Sequence, residues 1–396
     1  MFCEKTKLQR MRLKRNLPLT AGYMNKDLIK KLAQEVGFDV CGITAPTTLH
    51  DAEKKLADWV RAGKHGEMRY LENYEERARE FWKRFPNAKS IIVLGLNYFS
   101  KGDSCHPERS EGSVNTDSSG SALRMTKGRI ARYAWGKDYH YVIRKKVEAL
   151  KLKIQENSEH PISFECSVDT KPLLERPLAE RAGLGFIGKQ TQLLSLQFGP
   201  WLFLSELITD LELEPDQPFQ GSCGTCTLCI EVCPTDAIES ARVLDARKCI
   251  AYLTIEYKGS IPVDLRSKIG SWVFGCDECL TVCPYTAKEK ESNCEELKAP
   301  AGFGESLDLL KLFEIKSQGE YERKFEGTAI LRAKRKQLLR NACIVLGNSK
   351  DKNAIPVLER AMSDSSDLVR EHAEWALYKL QTPEKVSNEN ASGSSG

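Results

Sequence analysis

Eight cysteines between residues 223 and 283 form two runs that each end in Cys-Pro. The first run has the spacing Cys-x2-Cys-x2-Cys-x3-Cys and consists of Cys223, Cys226, Cys229 and Cys233. The second run lacks its first cysteine, because Val273 stands there, and consists of Cys276, Cys279 and Cys283. Upstream, Cys249 can supply the missing thiolate. Bacterial two-cluster ferredoxins have this spacing, so the sequence predicts two [4Fe–4S] clusters and electron transfer.

The order of the thiolates predicts how the two clusters share them. In ferredoxin runs of this kind, the fourth cysteine binds the other cluster. We therefore expect one cluster on Cys223, Cys226, Cys229 and Cys283, and the other on Cys249, Cys276, Cys279 and Cys233. Structural zinc and disulfides are the alternatives, since zinc also favours paired cysteines. Neither a zinc site nor a disulfide requires this cysteine spacing twice, so the iron–sulfur interpretation is favoured.

A glycine-rich segment, Gly183-Leu-Gly185-Phe-Ile-Gly188-Lys189, resembles nucleotide-binding fingerprints. Such motifs need a strand before the glycines and a helix after them. Here residues 171–181 predict a helix and residues 191–196 an extended segment, so the order is reversed. We expect the glycines to end a helix and to let the backbone approach a bulky ligand closely.

Two other features have both a structural and a functional interpretation. Asp138 precedes an amphipathic helix, where it can cap the helix or act as a catalytic acid, and periodicity does not separate the two roles. A basic run near the C-terminus is either a solvated helix face or a patch that contacts phosphates. Its members are Arg332, Lys334, Arg335, Lys336 and Arg340.

Helices and buried strands alternate upstream of the cysteines. Periodicity predicts helices at 25–37, 51–63 and 67–85, and strands at 38–43 and 90–96. This alternation predicts an α/β or α+β domain over residues 24–215. Within it, the polar residues 101–128 predict a disordered insertion.

The rest of the chain predicts two smaller domains and two tails. Segment 216–298 needs little apolar core because metal–thiolate bonds organise it. Residues 299–385 contain paired short helices, which predict a HEAT-like unit. Residues 1–23 predict either a disordered basic arm or an upstream extension of a protein that begins near Met24, and residues 386–396 predict a disordered tail.

Composition excludes several classes of protein. A hydrophobic content of 41% and a charged content of 29% are ordinary for a globular protein. The net charge of +4 is small, so any nucleic-acid surface must be a local patch. No apolar stretch reaches the length of a membrane span, and residues 1–23 lack the apolar core of a secretory signal. Open thiolate sites without an export signal predict a cytoplasmic protein.

Several stretches resemble the epoxyqueuosine reductase family, cobalamin-dependent enzymes that complete queuosine in tRNA. They are RYAWGKDYH at 132–140, VDTKPLLERP at 168–177, AERAGLGFIGK at 179–189, DARKCIAYLTIE at 245–256, GTAI at 327–330 and LRN at 339–341. Both cysteine runs match as well. The resemblance implies an α+β multidomain fold: a nitroreductase-like cobalamin-binding domain (24–215), a ferredoxin-like two-cluster domain (216–298) and a HEAT-like tRNA-binding domain (299–385).

The resemblance also implies roles for individual residues. Asp138 is implied as the proton donor that faces the cobalt, and the basic run as the tRNA contact. Segments that border the corrin contain Asp169, Glu175, Ala251, Cys276 and Asp277. Two differences stand out: the family usually has serine at the position of Ala251, and Ser-Ala at the position of Thr170-Lys171.

The implied reaction reduces epoxyqueuosine to queuosine at the wobble position of tRNA. Electrons pass through both clusters to cobalamin, and Asp138 protonates the oxygen of the opening epoxide. That role requires a carboxyl that stays protonated near neutrality, so we expect the pKa of Asp138 to be raised by burial. A flavodoxin or ferredoxin would supply the electrons, and the tRNA-docking scheme works for a monomer.

Two other functions fit part of the sequence. A reductive dehalogenase shares cobalamin and two clusters, but such enzymes are usually exported with a twin-arginine signal and lack the HEAT-like C-terminus. A non-catalytic electron carrier accounts for the clusters and helices, but not for the Asp138 segment or the large upstream domain. Cobalamin binding separates the two, since a carrier predicts none.

Overall fold

The computed structural model describes residues 24–102, 126–288 and 290–382. The predicted extension 1–23, most of the predicted insertion 101–128 and the tail 386–396 lie outside the described residues. At the far end of the insertion, Lys127 and Gly128 belong to a paired β-strand, so the prediction of disorder is wrong there. Backbone pairing with two neighbouring strands, which the polar composition did not indicate, orders these two residues.

The upstream region begins with a helix and a strand and then alternates between the two. Its elements are α1 (Lys26–Glu35), β1 (Val40–Thr44), α2 (His50–Arg61), α3 (Tyr74–Lys83), β2 (Ser90–Asn97), β3 (Lys127–Ile130), α4 (Tyr139–Glu156), β4 (Phe164–Ser167), α5 (Glu175–Arg181), β5 (Phe186–Ile187), β6 (Leu193–Leu194) and β7 (Leu202–Thr209). The helix predicted over 67–85 is divided into a 3-10 turn and α3. The helix predicted over 171–181 begins only at Glu175.

A four-stranded antiparallel sheet forms the centre of this region, in the order β1-β2-β7-β4. Strand β2 is buried along its whole length, as its continuous apolar run predicts. Its side chains alternate between two cores: Ile92 and Leu94 pack with α1 and α4, whereas Ile91 and Val93 pack with α3 and α5. Both faces of the sheet are therefore covered by helices.

The downstream region consists of short elements followed by longer helices. They are α6 (Leu228–Glu231), β8 (Ile238–Ser240), β9 (Val243–Leu244), α7 (Ile250–Ile255), α8 (Val263–Arg266), β10 (Trp272–Phe274), α9 (Glu278–Thr281), β11 (Ser306–Asp308), α10 (Leu309–Leu312), α11 (Gln318–Lys324), α12 (Arg335–Asn348), α13 (Ile355–Ala361) and α14 (Asp367–Gln381). Short 3-10 turns lie at Arg69–Leu71, Arg132–Ala134, Ala246–Lys248, Ser267–Ile269, Pro284–Lys288, Glu295–Leu297, Ala299–Ala301, Ala329–Arg332 and Lys352–Ala354.

A second sheet joins all three regions that the sequence predicts as separate domains. Strand β3 lies between β10, which is parallel to it, and β11, which is antiparallel. One hydrophobic core contains Ile130 from the upstream region, Phe274 from the cysteine-rich region and Leu339 from the C-terminal helices. The three predicted regions therefore share one sheet and one hydrophobic core across their boundaries.

Helix α12 is the connection between the C-terminal helices and the cysteine-rich region. The guanidinium of Arg340 is fully buried and donates to the backbone carbonyls of Leu253, Tyr257 and Gly259. Burial lowers the pKa of Arg340 to about 10. The next residue, Asn341, donates to the carbonyls of Thr254 and Val273. These bonds fix the segment that follows Cys249 against α12.

The prediction that Arg335 and Arg340 contact tRNA is therefore wrong. Both side chains are buried, and Arg335 forms an ion pair with Asp364 at 2.5 Å. A phosphate could reach neither guanidinium without unfolding the helix packing. No helix among the described residues combines the length and the apolar character needed to cross a membrane.

Candidate functional site

A cavity of about 560 Å³ opens where the upstream, cysteine-rich and C-terminal regions meet. Its wall combines residues from segments 59–68, 133–140, 169–192, 244–256 and 328–332. Two other depressions, of about 450 and 660 Å³, flank α3 and contain none of the predicted site residues. The chemistry that the sequence predicts therefore converges on the first cavity.

Four of the predicted residues line this cavity: Asp138, Asp169, Ala251 and Arg332. The cluster ligand predicted at Cys249 also forms part of the wall. They come from separate regions of the sequence, and the packing of α7 and α12 brings them to one space. Sequence spacing alone could not place them together.

Three other predicted residues lie behind the wall. Glu175 accepts the backbone N–H of Asp169 at 2.8 Å. Asp277 accepts the backbone N–H of Arg132 at 2.6 Å, and burial raises the pKa of its carboxyl to about 6. Cys276 adjoins Asp277 in the same wall-backing segment and is not a lining residue. In this structure these side chains support the cavity without facing it.

Asp138 both caps α4 and faces the cavity. Its Oδ1 accepts the backbone N–H of His140 at 2.9 Å and lies 2.8 Å from the Nδ1 of the same residue. Burial raises the pKa of Asp138, but the hydrogen bonds and charge of His140 together outweigh burial and hold it below its usual value. The expectation of a raised pKa is therefore wrong. Asp138 is thus the N-cap of α4, and the residue predicted as the catalytic acid also faces the cavity.

Backbone strain marks the floor of the cavity. Asp169 has φ +50° and Thr191 has φ +72°, and both residues line the cavity. A β-branched residue rarely adopts a positive φ, and such strain is concentrated at functional sites. The Tyr139 hydroxyl donates to Asp169 at 3.1 Å and fixes that carboxylate. Burial and the charge of Asp169 raise the pKa of Glu175 to about 7.

Beneath these acids lies a carboxyl group without hydrogen-bond partners among the described residues. Glu206 on β7 is completely buried, and neither of its oxygens has a partner. Ser167 lies directly opposite on β4; its hydroxyl is near enough to lower the pKa of Glu206, but it is not within hydrogen-bond distance of a partner. Burial, together with the charge of Glu175, raises the pKa of Glu206 well above its usual value. Neither residue lines the cavity, and burial of a carboxyl without a partner makes its charged form costly.

Arg332 lies at the rim of the cavity. Its Nε donates to Glu256 at 2.8 Å, and its Nη1 lies 3.9 Å from the carboxylate of Asp169. Its side chain is 43% exposed, so an incoming anion can compete for it. Lys334 and Lys336, on either side of the buried Arg335, are also exposed.

The structure brings the eight predicted cluster cysteines close to one another. After burial, the thiols of Cys223 and Cys226 raise the pKa of both Cys229 and Cys283. Burial is also the largest cause of the raised pKa of Cys279, followed by the charges of Cys249, Asp277, Cys233 and Cys229. Cys279 thus has neighbours from both predicted ligand sets, and the division of the eight thiolates between two clusters stays a prediction.

The described thiols form no disulfides, and they do not converge on a single point. Every cysteine that the structure describes is unpaired. Within the described ranges, no three Cys, His, Asp or Glu side chains converge on one metal-ion position. Four thiols around a common space are the donor set of a [4Fe–4S] cluster, which is larger than a single ion. The donor chemistry therefore fits two such clusters.

The glycine-rich segment supports the first thiol group. Gly183 has φ +81° and ends α5, and the segment after it is extended, as expected from the sequence. At its end, the Lys189 backbone N–H points to the sulfur of Cys223 at 3.4 Å. The ammonium of Lys189 donates to the carbonyls of Gly224 and Cys226. The motif thus braces a cysteine loop and lacks the strand-to-helix order of a nucleotide site.

Several residues of the site were not singled out from the sequence. His140 carries no assigned role in the sequence argument, although it lies two residues from Asp138. Glu206 had a usable signal, since a lone acid interrupts the apolar strand Leu202–Thr209. Glu256 and Thr191 had none, because only tertiary packing brings them to the cavity.

The fold and site define a two-cluster iron–sulfur oxidoreductase joined to HEAT-like helices. Three family models match the chain. "4Fe-4S double cluster binding domain" matches residues 222–286, "Epoxyqueuosine reductase QueG, DUF1730" matches residues 79–170, and "HEAT repeats" matches residues 328–388. The α+β multidomain fold expected from the sequence is confirmed.

Curated relatives and solved structures agree with these matches. The chain is 37% identical over 352 residues to the epoxyqueuosine reductase of Xanthomonas campestris, covering 88% of this chain and 94% of the relative. It is 35% identical to that of Escherichia coli K12, covering 88% of each. The chain belongs to the epoxyqueuosine reductase family.

Solved structures of that family have the same fold. An epoxyqueuosine reductase crystallised with a tRNA-Tyr epoxyqueuosine-modified stem loop is 31% identical and superposes with a TM-score of 0.76, covering 90% of each chain. The Streptococcus thermophilus enzyme, also 31% identical, gives 0.77 and covers 91% of each chain.

Proposed function

We propose that this oxidoreductase reduces epoxyqueuosine to queuosine at the wobble position of tRNA. The observation that carries the proposal is a single cavity whose wall contains both Asp138 and the cluster cysteine Cys249. A proton donor and an electron-transfer group thus border the same space, as reductive C–O cleavage requires. Membership of the family supports the substrate assignment.

Cobalamin is the second cofactor in this proposal. The cavity is wide, and its wall offers polar side chains such as Arg176, Thr191 and Gln192 to a ligand with several amide groups. Ala251 and Asp169 would border the corrin, with Glu175, Cys276 and Asp277 behind them. When bound, cobalamin would supply a reducible cobalt as the source of the two electrons. The protein itself holds the substrate and moves protons.

Asp138 gives a proton to the epoxide oxygen as its C–O bond breaks. As the N-terminal cap of α4, its carboxyl has a fixed orientation towards the cavity. General-acid catalysis of this kind typically contributes 10²–10⁴-fold to a rate. Asp169 and Glu175 support the floor beneath it, and Tyr139 fixes Asp169.

Electrons would enter at the cysteine group that is further from the cavity. Cys249 lines the cavity, so its group, with Cys276, Cys279 and Cys233, would be the last in the relay. The group of Cys223, Cys226, Cys229 and Cys283 would receive electrons first. A cytoplasmic flavodoxin or ferredoxin is the proposed donor, and the enzyme would act as a monomer.

The rim cations would contact the tRNA. Arg332 lies at the cavity mouth, and Lys334 and Lys336 are exposed beside it. Unstacking the wobble base so that it enters the cavity costs a few kcal/mol, which phosphate contacts can offset.

The test is anaerobic turnover of epoxyqueuosine-containing tRNA by the cluster-reconstituted enzyme, with and without cobalamin. We expect queuosine only when cobalamin is present, with Asp138→Asn reducing the rate by about 10²–10⁴-fold. Asp58→Asn, on the outer face of α2, is the matched control and should retain the wild-type rate. Bound cobalamin with full clusters and no queuosine would contradict the assigned substrate.

A further inference from the structure

The proposed reaction needs two protons, and one carboxyl group carries only one. Conversion of an epoxide to an alkene consumes two electrons and two protons and releases one water. The first proton goes to the oxygen when the first C–O bond breaks. The second goes to the same oxygen when the remaining C–O bond breaks and water leaves. The electrons come from a one-electron carrier protein through the clusters.

We propose that His140 supplies both protons through Asp138, so that the two residues act as a pair. This inference rests on the proposed function. The Nδ1 of His140 lies 2.8 Å from the Oδ1 of Asp138, and both residues line the cavity. A proton can therefore pass between them without any movement of the backbone.

The other ring nitrogen of His140 is the route by which protons enter. Among the described residues, Nε2 of His140 has no hydrogen-bond partner, and the side chain is 24% exposed. Water can reach Nε2 while Nδ1 remains bonded to Asp138. An imidazole conducts protons in this way because it can gain one at one nitrogen and release one at the other.

Several contacts hold the imidazole in place. Tyr139 stacks on its ring with centroids 4.1 Å apart, and the Tyr139 hydroxyl is itself bonded to Asp169. The charged groups that face the pair are Arg144 on α4, which favours the Asp138 carboxylate, and Glu175 on α5, which interacts with the charge of His140. Both groups are close enough to interact electrostatically with the pair.

The protons balance over one turnover. The first proton passes from Nδ1 of His140 to Asp138 and from Asp138 to the epoxide oxygen. Solvent then returns one proton to His140 through Nε2. The second proton follows the same route to the departing hydroxyl, which leaves as water. Solvent restores the proton on His140 before the next turnover, so two protons are taken up for two delivered.

The decisive variant is His140→Asn, because an asparagine amide can keep the hydrogen bond to Asp138 but cannot carry a proton. We expect kcat to fall about 10²-fold while KM for tRNA is unchanged. His140→Ala should regain part of its rate when imidazole is added. A solvent deuterium isotope effect should increase in His140→Asn, since proton delivery becomes slower than the other steps.

A second measurement is independent of turnover. In the cofactor-free protein, the pKa of the Asp138 carboxyl can be followed by NMR with labelled aspartate. Removal of the cationic partner in His140→Asn should raise that pKa. Wild-type kcat in His140→Asn would overturn the proposal, and so would a raised KM with unchanged kcat, which would assign His140 to tRNA binding. Absence of queuosine with the wild-type enzyme would instead refute the proposed function.

Discussion

Helix α12 and strand β7 both contain buried polar side chains, and the two regions differ in whether those side chains are paired. Along α12, Arg340 and Asn341 satisfy backbone carbonyls of the cysteine-rich region, and Arg335 is paired with Asp364. Under the cavity floor, both oxygens of Glu206 lack partners within the described part of the chain. The paired groups fix the backbone, whereas the buried carboxyl of Glu206 makes no such contact.

The comparison explains why residues of one type have different roles. Arg332 and Arg340 belong to the same basic run, yet one lies at the cavity rim and the other is fully buried. Both residues are arginines and carry the same charge, so the sequence does not distinguish them. Only packing decides that Arg340 holds three carbonyls while Arg332 remains accessible to an anion.

The largest effect should come from Arg340→Met, which breaks the paired region. The substitution leaves the carbonyls of Leu253, Tyr257 and Gly259 buried without donors. We expect the free energy of unfolding to fall by about 3–5 kcal/mol. Urea denaturation of the cofactor-free protein measures it, with Lys336→Met, exposed on the same helix, as the control. Equal stability of the two variants would show that α12 does not hold the cysteine-rich region.

A smaller effect, of opposite sign, is expected from Glu206→Gln in the unpaired region. The native pKa of Glu206 is raised, so the native state keeps a proton that the unfolded state loses as pH rises. Wild-type stability should therefore fall with rising pH above the ordinary glutamate pKa, by up to about 1.4 kcal/mol per pH unit. The glutamine variant removes this contribution.

Denaturation of the cofactor-free protein at pH 5, 6, 7 and 8 would test this expectation. The stability advantage of Glu206→Gln over wild type should grow with pH, whereas the exposed control Glu326→Gln should show no trend. A constant difference across the series would mean that Glu206 is already paired in solution, and the contrast between the two regions would disappear.

The smallest effect is expected at the rim, where Arg332→Gln should weaken tRNA binding by about 3–10-fold. Loss of one phosphate contact should reduce the slope of log K against log salt concentration by about 0.7–0.9. Fluorescence anisotropy with an anticodon stem loop at several salt concentrations measures both quantities. Lys268→Gln serves as the control, because Lys268 lies in the 3-10 turn after α8 and does not line the cavity. An unchanged slope in Arg332→Gln would remove Arg332 from the interface.

Local sequence patterns were sufficient for much of the fold. The continuous apolar run at 90–96 predicted a strand buried on both faces, and β2 has that environment. Asp138 preceding an amphipathic helix predicted a cap, and it caps α4. The boundary at residue 128 failed because the strand β3 gains its order from two distant partners.

The sequence by itself determined the chemistry that this chain can carry. Cysteine spacing specified eight thiolates for two clusters, because ligand spacing is a local property of the chain. Tertiary structure alone decided which charged residues are free to act. It buried Arg335 and Arg340, placed Arg332 at the cavity rim, and set His140 against Asp138 so that the pKa of the acid is lowered. Burial and pairing depend on residues distant in sequence, and those contacts exist only after the chain has packed.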